Sequence, residues 1–309
     1  MVQKMNELRV VTRGSALALT QSTQLVRLLE EKNPGVLFKI ITLTTTGDRV
    51  TDRPLSQFRG MGVFVKELEK ALLANEADIA IHSLKDVPVE RVEGLALTAF
   101  PIRKEPFDVL LTKSNLRFEE LPHGATIGTS SPRRFVQLRA KRPDLAFKDL
   151  RGNVDTRIRK LDEGLYDGII AAAAGMKRLG KPFHENGVLP MDLCLPAAGQ
   201  GCLAIECCES DEFSRTVAAT VDDAATRLEV TAERDFLAVI GGGCQTPIAV
   251  YAKCGSDRFT IDAVIGDPDS TALARKSITV PRGESQNAGG RLAEMMIALC
   301  KEMGINIIV

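Results

Sequence analysis

Leu8-Arg9-Val10-Val11-Thr12, then Arg13-Gly14-Ser15, then the stretch from Ala16 to Lys32 decide how this chain folds: a short apolar run, a polar break and a helical repeat in direct succession. In the third stretch Leu17, Leu25, Leu28 and Leu29 recur at roughly helical spacing, and Ser15 stands where a side-chain oxygen can cap the helix. A second apolar run at 37–43 follows. Beyond a polar loop come a helical pattern over 64–75, with Phe64, Leu68, Ala71 and Leu72 on one side, and a third apolar run from Asp78 to His82. Strand, helix and strand in alternation predict βαβ units and a parallel sheet. The same grammar restarts after Pro101, with strands expected at 107–112, 125–129, 145–148 and 167–172 and helices at 132–142 and 154–163. A long helix from Asp222 to Ile240, strands at 247–252, 258–265 and 272–280 and a helix near 286–303 then describe a small α+β domain.

The whole chain of 309 residues carries 40 Lys and Arg against 40 Asp and Glu, which excludes a globally basic nucleic-acid binder. The absence of Trp leaves few flat side chains on which bases could stack. No apolar run approaches the ~18 residues of a membrane span, and the first residues lack a signal-peptide pattern, so a cytoplasmic protein with no membrane partner is expected. The seven cysteines are odd in number, and no Cys-x-x-Cys or His-x-x-x-His pair occurs. Reduced thiols are therefore expected, with little support for a zinc site. Neutrality is only global. Residues 131–160 hold ten basic and three acidic side chains, whereas 201–240 hold three and nine.

In the basic segment Thr129-Ser130-Ser131-Pro132-Arg133-Arg134 joins a strand to a helix start, where free N–H groups, hydroxyls and guanidiniums converge. Helix N-termini favour anions and Arg grips carboxylates bidentately, so this is a carboxylate or phosphate receptor in principle. Arg151-Gly152-Asn153, followed by Arg157 and Arg159, repeats the arrangement, as does Arg13-Gly14-Ser15. Ordinary caps and solvated arginines explain any one site. Three together point to a polyanion. Lys85-Asp86 lies just beyond the run ending at His82, where open α/β sheets bind ligands, and reads either as an acid/base pair or as a surface ion pair. Gly241-Gly242-Gly243-Cys244 presents a thiol after a helix, either as a nucleophile or attachment point or as a small buried hydrophobe behind a glycine cap. Gly175 to Lys181 mimics a phosphate loop, but Pro182 stands where Ser or Thr would hold Mg²⁺.

Six motifs in order resemble the porphobilinogen deaminase family. They are Thr12-Arg13-Gly14-Ser15-x-Leu17-Ala18-Leu19-x-Gln21, His82-Ser83-x-Lys85-Asp86-Val87-Pro88, Gly128-Thr129-Ser130-Ser131-x-Arg133-Arg134, Leu150-Arg151-Gly152-Asn153-Val154, Leu195-Pro196-Ala197-Ala198-Gly199-Gln200-Gly201 and Gly242-Gly243-Cys244-x-x-Pro247. The resemblance implies two α/β domains like the lobes of type II periplasmic binding proteins plus a small α+β C-terminal domain. Their expected bounds are 1–101 with 200–218, then 105–195, then 222–309, with the cleft between the first two. It implies a monomeric transferase that condenses four molecules of porphobilinogen to 1-hydroxymethylbilane, on a dipyrromethane cofactor held by a thioether to Cys244. Asp86 would be the catalytic residue, and Arg13, Ser15, Lys85, Ser131, Arg133, Arg134, Arg151, Arg157 and Arg178 would bind carboxylates. No metal or nucleotide is expected.

Two departures from the family pattern are Met61 in Arg59-Gly60-Met61-Gly62-Val63-Phe64, where a lysine is usual, and Arg103-Lys104-Glu105-Pro106-Phe107-Asp108 in place of Arg-x-Asp-Pro-Arg-Asp. The competing class is a non-enzymatic two-lobed binder or sensor of small anions. It accounts for the basic helix starts but not for Cys244 or the Lys85-Asp86 pair.

Overall fold

The computed structural model describes residues 6–45, 65–242 and 246–307, so the Met61 departure and the start of the 64–75 helix lie outside the described residues, as does Cys244. Along the chain, β1 (Asn6–Arg13) leads into α1 (Ala16–Lys32), β2 (Val36–Leu43), α2 (Lys66–Leu73), β3 (Ile79–Ser83) and β4 (Leu95–Ala99). Ser15 Oγ accepts from the Ala18 N–H at 3.2 Å and starts α1, whose Leu25, Val26 and Leu29 are buried against β1 and β3. The chain continues through β5 (Asp108–Thr112), β6 (Thr126–Gly128), α3 (Pro132–Lys141), β7 (Ala146–Lys148), α4 (Val154–Asp162), β8 (Gly168–Ala172) and α5 (Ala173–Arg178). It then forms β9 (Leu203–Cys208) and α6 (Glu212–Ala219). Last come α7 (Ala224–Ile240), the meander β10 (Ile248–Cys254), β11 (Arg258–Gly266) and β12 (Leu273–Pro281), and α8 (Ala288–Glu302).

Two compact units result: Met1–Lys104 with Cys202–Arg227, and Glu105–Gly201 with Leu228–Val309. The first holds a sheet in the order β2-β1-β3-β9-β4, and the second a sheet in the order β7-β6-β8-β5 together with the antiparallel β10-β11-β12 sheet. Neither α/β sheet is purely parallel. β1 is parallel to β2 and β3, and β6 is parallel to β7 and β8, as βαβ crossovers require. The next strand in each, β9 beside β3 and β5 beside β8, runs antiparallel. The two sheets thus share one arrangement, three parallel strands and a reversed fourth, which makes the protein a pair of like α/β lobes with a small α+β C-terminal portion.

The reversal has a physical source: β9 enters from a remote part of the chain with no crossover helix to set its direction. In β9 and β4 the residues are mostly buried or half-buried, so the polar alternation that marks a one-sided strand is missing. In the C-terminal portion α7 and α8 pack on the meander through Phe236, Phe259, Leu292 and Met296. Truncating a buried Phe of this kind to Ala costs about 3–5 kcal/mol. Among the described residues no helix is long and apolar enough to cross a membrane.

Candidate active site

In the first unit, parallel pairing of β1 with β3 brings the ends of two motifs together. Arg13 is the last residue of β1, and Asp86 closes a single 3₁₀ turn, Leu84–Asp86, directly after β3. Their side chains approach to 3.9 Å between Nη1 and Oδ2, both partly open to solvent. The turn is fastened from behind. The Leu84 N–H donates to the Cys202 carbonyl at 3.1 Å, and Ser83 Oγ donates to Oε1 of the buried Gln21 on α1 at 3.0 Å. On the other side of β3, His82 Nε2 lies 3.0 Å from Glu206 Oε2 of β9, both buried. Ser15 uses its hydroxyl on the α1 cap, and Lys85 is half-buried in the same turn as Asp86.

In the second unit, Ser131 caps α3, accepting from the Arg134 N–H, and Pro132 takes the first helical position. Ser130 ties this motif to the next, its Oγ donating to the Leu150 carbonyl and accepting from the Leu150 N–H, each at 3.0 Å. Gly152 sits at φ +109°, and a Cβ there would meet Thr156 Cγ2 at 2.6 Å, so the turn into α4 requires glycine. Asn153 Oδ1 caps α4 by accepting from the Thr156 N–H at 2.9 Å, and Arg157 Nε donates to the Gly152 carbonyl at 2.8 Å. Arg151 and Arg157 are half-buried on this turn, and Arg178, at the end of α5, donates to the Gly201 carbonyl at 3.0 Å.

Arg133 and Arg134 are buried and share one carboxylate that sequence reasoning did not single out. Arg133 Nη1 donates to Asp108 Oδ2 at 2.8 Å and Arg134 Nη2 to Asp108 Oδ1 at 2.7 Å, with Asp108 fully enclosed. The available signal was a lone Asp opening the apolar strand Val109-Leu110-Leu111. Gln137, which lies in no motif, and Gln200, which the Leu195 to Gly201 motif contains but to which no role was assigned, are also buried and donate to the Leu195 carbonyl and to Asp108 respectively. Burial alone would push the Asp108 carboxyl up; Arg133 and Arg134 overcome it and hold the group far below the usual carboxylate range. Breaking such a set by removing one member costs about 3–5 kcal/mol.

Because the folded value is depressed, this stabilisation is complete above the ordinary aspartate value of 3.8 and is lost as pH falls below it. Asp78, held down by hydrogen bonds from Arg9, adds to the same trend. The Tm followed from pH 6 downward should therefore decline below about pH 4, and less steeply in Asp108→Asn than in the parent. Parallel curves for the two proteins would refute this attribution.

The residues suit an anionic, carboxylate-rich group. Two guanidiniums face one carboxylate at the α3 start, and among the described residues Arg134 Nε is buried with no acceptor. An orphaned charged donor of that kind matches a ligand carboxylate.

Residues 8–216 match the family model for porphobilinogen deaminase, dipyromethane cofactor binding domain, and residues 227–298 match that for porphobilinogen deaminase, C-terminal domain. The chain is 45% identical over 296 residues to a porphobilinogen deaminase of Brevibacillus brevis, covering 95% of each. It is 43% identical over 290 residues to one of Syntrophus aciditrophicus, covering 94% of this chain and 95% of the relative. Among solved structures, a YaeC-family lipoprotein of Enterococcus faecalis aligns with 72% of this chain and 95% of its own at 12% identity and a TM-score of 0.43.

Proposed function

The chain belongs to the porphobilinogen deaminase family, and from that premise we propose that it joins four porphobilinogen molecules head to tail and releases 1-hydroxymethylbilane. In each condensation the aminomethyl C–N bond breaks, ammonia leaves with the electron pair, a C–C bond forms to a free pyrrole α-carbon, and that carbon loses its proton. Water completes the final release. The protein is thus a transferase of tetrapyrrole synthesis, acting as a three-domain monomer in the cytoplasm.

The observation that carries the reading is the approach of Arg13 to Asp86 at the carboxyl end of β3. Asp86 is half-exposed, so a substrate can reach it, and its carboxylate opposes the positive charge left on the substrate when ammonia departs. It also accepts a pyrrole N–H and holds a proton between steps. Arg13 beside it, with Ser15 and Lys85, offers donors to an acetate or propionate. Ser131, Arg134, Arg151, Arg157 and Arg178 do the same in the second unit. Each porphobilinogen ring carries two carboxylates, and a charge-assisted hydrogen bond contributes ~1.5–3 kcal/mol, so holding a growing polyanion takes many such donors.

A dipyrromethane, the group named for the family's first domain, would be held by these arginines and by a thioether to Cys244. When bound it supplies the terminal nucleophilic α-carbon. Intact-mass and absorbance measurements on the purified protein test the reading. A mass above the bare chain by two pyrrole units is expected, together with consumption of porphobilinogen and release of ammonia. A bare chain that leaves porphobilinogen untouched would sink it.

A further inference from the structure

Asp108 opens β5 in full enclosure, a position from which a lone carboxylate would be driven to neutralise. It remains charged because four donors surround it. Oδ2 accepts from Arg133 Nη1 at 2.8 Å and from the Cys194 thiol at 3.5 Å; Oδ1 accepts from Arg134 Nη2 at 2.7 Å and from Gln200 Nε2 at 2.9 Å. These partners come from α3, from the segment after α5 and from the Leu195 to Gly201 motif, so one carboxylate gathers two of the recognition motifs and the cysteine that precedes the second.

The two arginines are not equivalent. Arg133 Nη1 is shared between Asp108, the Leu195 carbonyl at 2.7 Å and Cys194 Sγ at 3.7 Å, and Gln137 braces the same segment by accepting from the Leu195 N–H at 2.8 Å. Arg134 is pinned at both terminal nitrogens, Nη2 by Asp108 and Nη1 by the Ile170 carbonyl at 3.1 Å, yet its buried Nε has no acceptor among the described residues. One guanidinium is therefore a strut. The other is held rigid with one donor unspent.

We propose that Asp108 is a positioning residue for ligand recognition: it locks Arg133 into the protein and aims the Nε–H of Arg134 at a carboxylate of the bound pyrrole chain. This rests on the proposed activity and divides the labour of two residues that the motif presents as a pair. Two cations against one anion leave a net positive charge at the α3 start, and the helix N-terminus adds to it. Carboxylates sit away from the bond being made, so misaiming Arg134 weakens substrate and transition state alike and raises KM more than it lowers kcat.

The test compares Asp108→Glu, Asp108→Asn, Arg134→Lys and Gln137→Leu in the full-length protein. For each, Tm, pyrrole occupancy by intact mass, and KM and kcat for porphobilinogen per loaded chain are measured well below that variant's Tm. Asp108→Glu keeps the charge but moves it by one methylene, and Arg134→Lys keeps a charge without the Nε–H. Both are expected to raise KM about 10-fold or more with kcat little changed. Gln137→Leu removes buried hydrogen bonds on the same segment and should lower Tm while leaving KM near the parent value. If Asp108→Glu and Arg134→Lys lose only Tm, as Gln137→Leu does, Asp108 is a structural ion and the inference is overturned. Should Asp108→Asn fail to fold, the other two variants decide. A parent protein with neither adduct nor turnover overturns the activity itself, and this inference with it.

Discussion

Cys244→Ala should fold, show the mass of the bare chain and have no detectable turnover. The expected loss is complete because attachment requires a thiolate, and the other cysteines are poorly placed to substitute. Cys194, Cys202, Cys207 and Cys300 are buried. Burial pushes the thiols of Cys194 and Cys207 up to about 12, and raises those of Cys208 and Cys300 as well. At neutral pH such groups stay protonated and are weak nucleophiles. Both flanks of Cys244 are anchored. Gly241, at φ +80°, ends α7, the Gly242 N–H returns to the Leu237 carbonyl at 3.1 Å, and β10 begins at Ile248. Intact mass and peptide mapping of the parent and Cys244→Ala decide the matter. An adduct on Cys254 or Cys208 in the parent, or a pyrrole-bearing and active Cys244→Ala, would remove the attachment assignment.

What could be read from the sequence divides by the range of the interaction. The α1 cap at Ser15, the proline and serine opening α3 and the asparagine cap of α4 each depend on residues within four positions, and the residue types announce them. The βαβ pairing of β1 with β2 and β3 follows from the alternation of periods. The strand β9 did not announce itself. It pairs with β3 across more than 100 residues, His82 against Ala204, and its nearly uniform burial removes the period-2 signal. Its reversal could not be read either, since direction depends on where the chain re-enters the sheet. The candidate site divides in the same way. The Lys85-Asp86 turn falls after a recognisable strand, and the nearness of Arg13 follows from the parallel pairing. The burial of Arg133 and Arg134 was hidden because two arginines in the first turn of a polar helix look like solvated charges. Only the position of Asp108, remote in sequence on β5, shows where that charge is spent.

Asp86→Asn should leave the fold and the first unit's sheet intact while lowering kcat by about 100-fold or more, with KM changing much less. The side chain is half-exposed and Arg13 stands 3.9 Å from it, so losing this ion pair costs ~0–1 kcal/mol of stability. The amide has nearly the carboxylate's volume and can still accept a pyrrole N–H through its oxygen. It cannot carry the negative charge that offsets the cation formed as ammonia leaves, nor hold the proton that moves between steps. The change therefore isolates charge from shape. Turnover must be counted per pyrrole-loaded chain, with loading measured by intact mass, because a variant slow to load would otherwise mimic one slow to react. Asp86→Glu provides the complementary arm: it restores the charge one methylene further out and should recover part of the rate. If a fully loaded Asp86→Asn protein turned over near the parent rate, Asp86 would be a solvated partner of Arg13 and the acid/base assignment would fall. A fall in Tm matching the fall in rate would instead make its role structural, and the fastening of the Leu84–Asp86 turn to Cys202 and Gln21 argues against that outcome, since neither bond uses the Asp86 side chain.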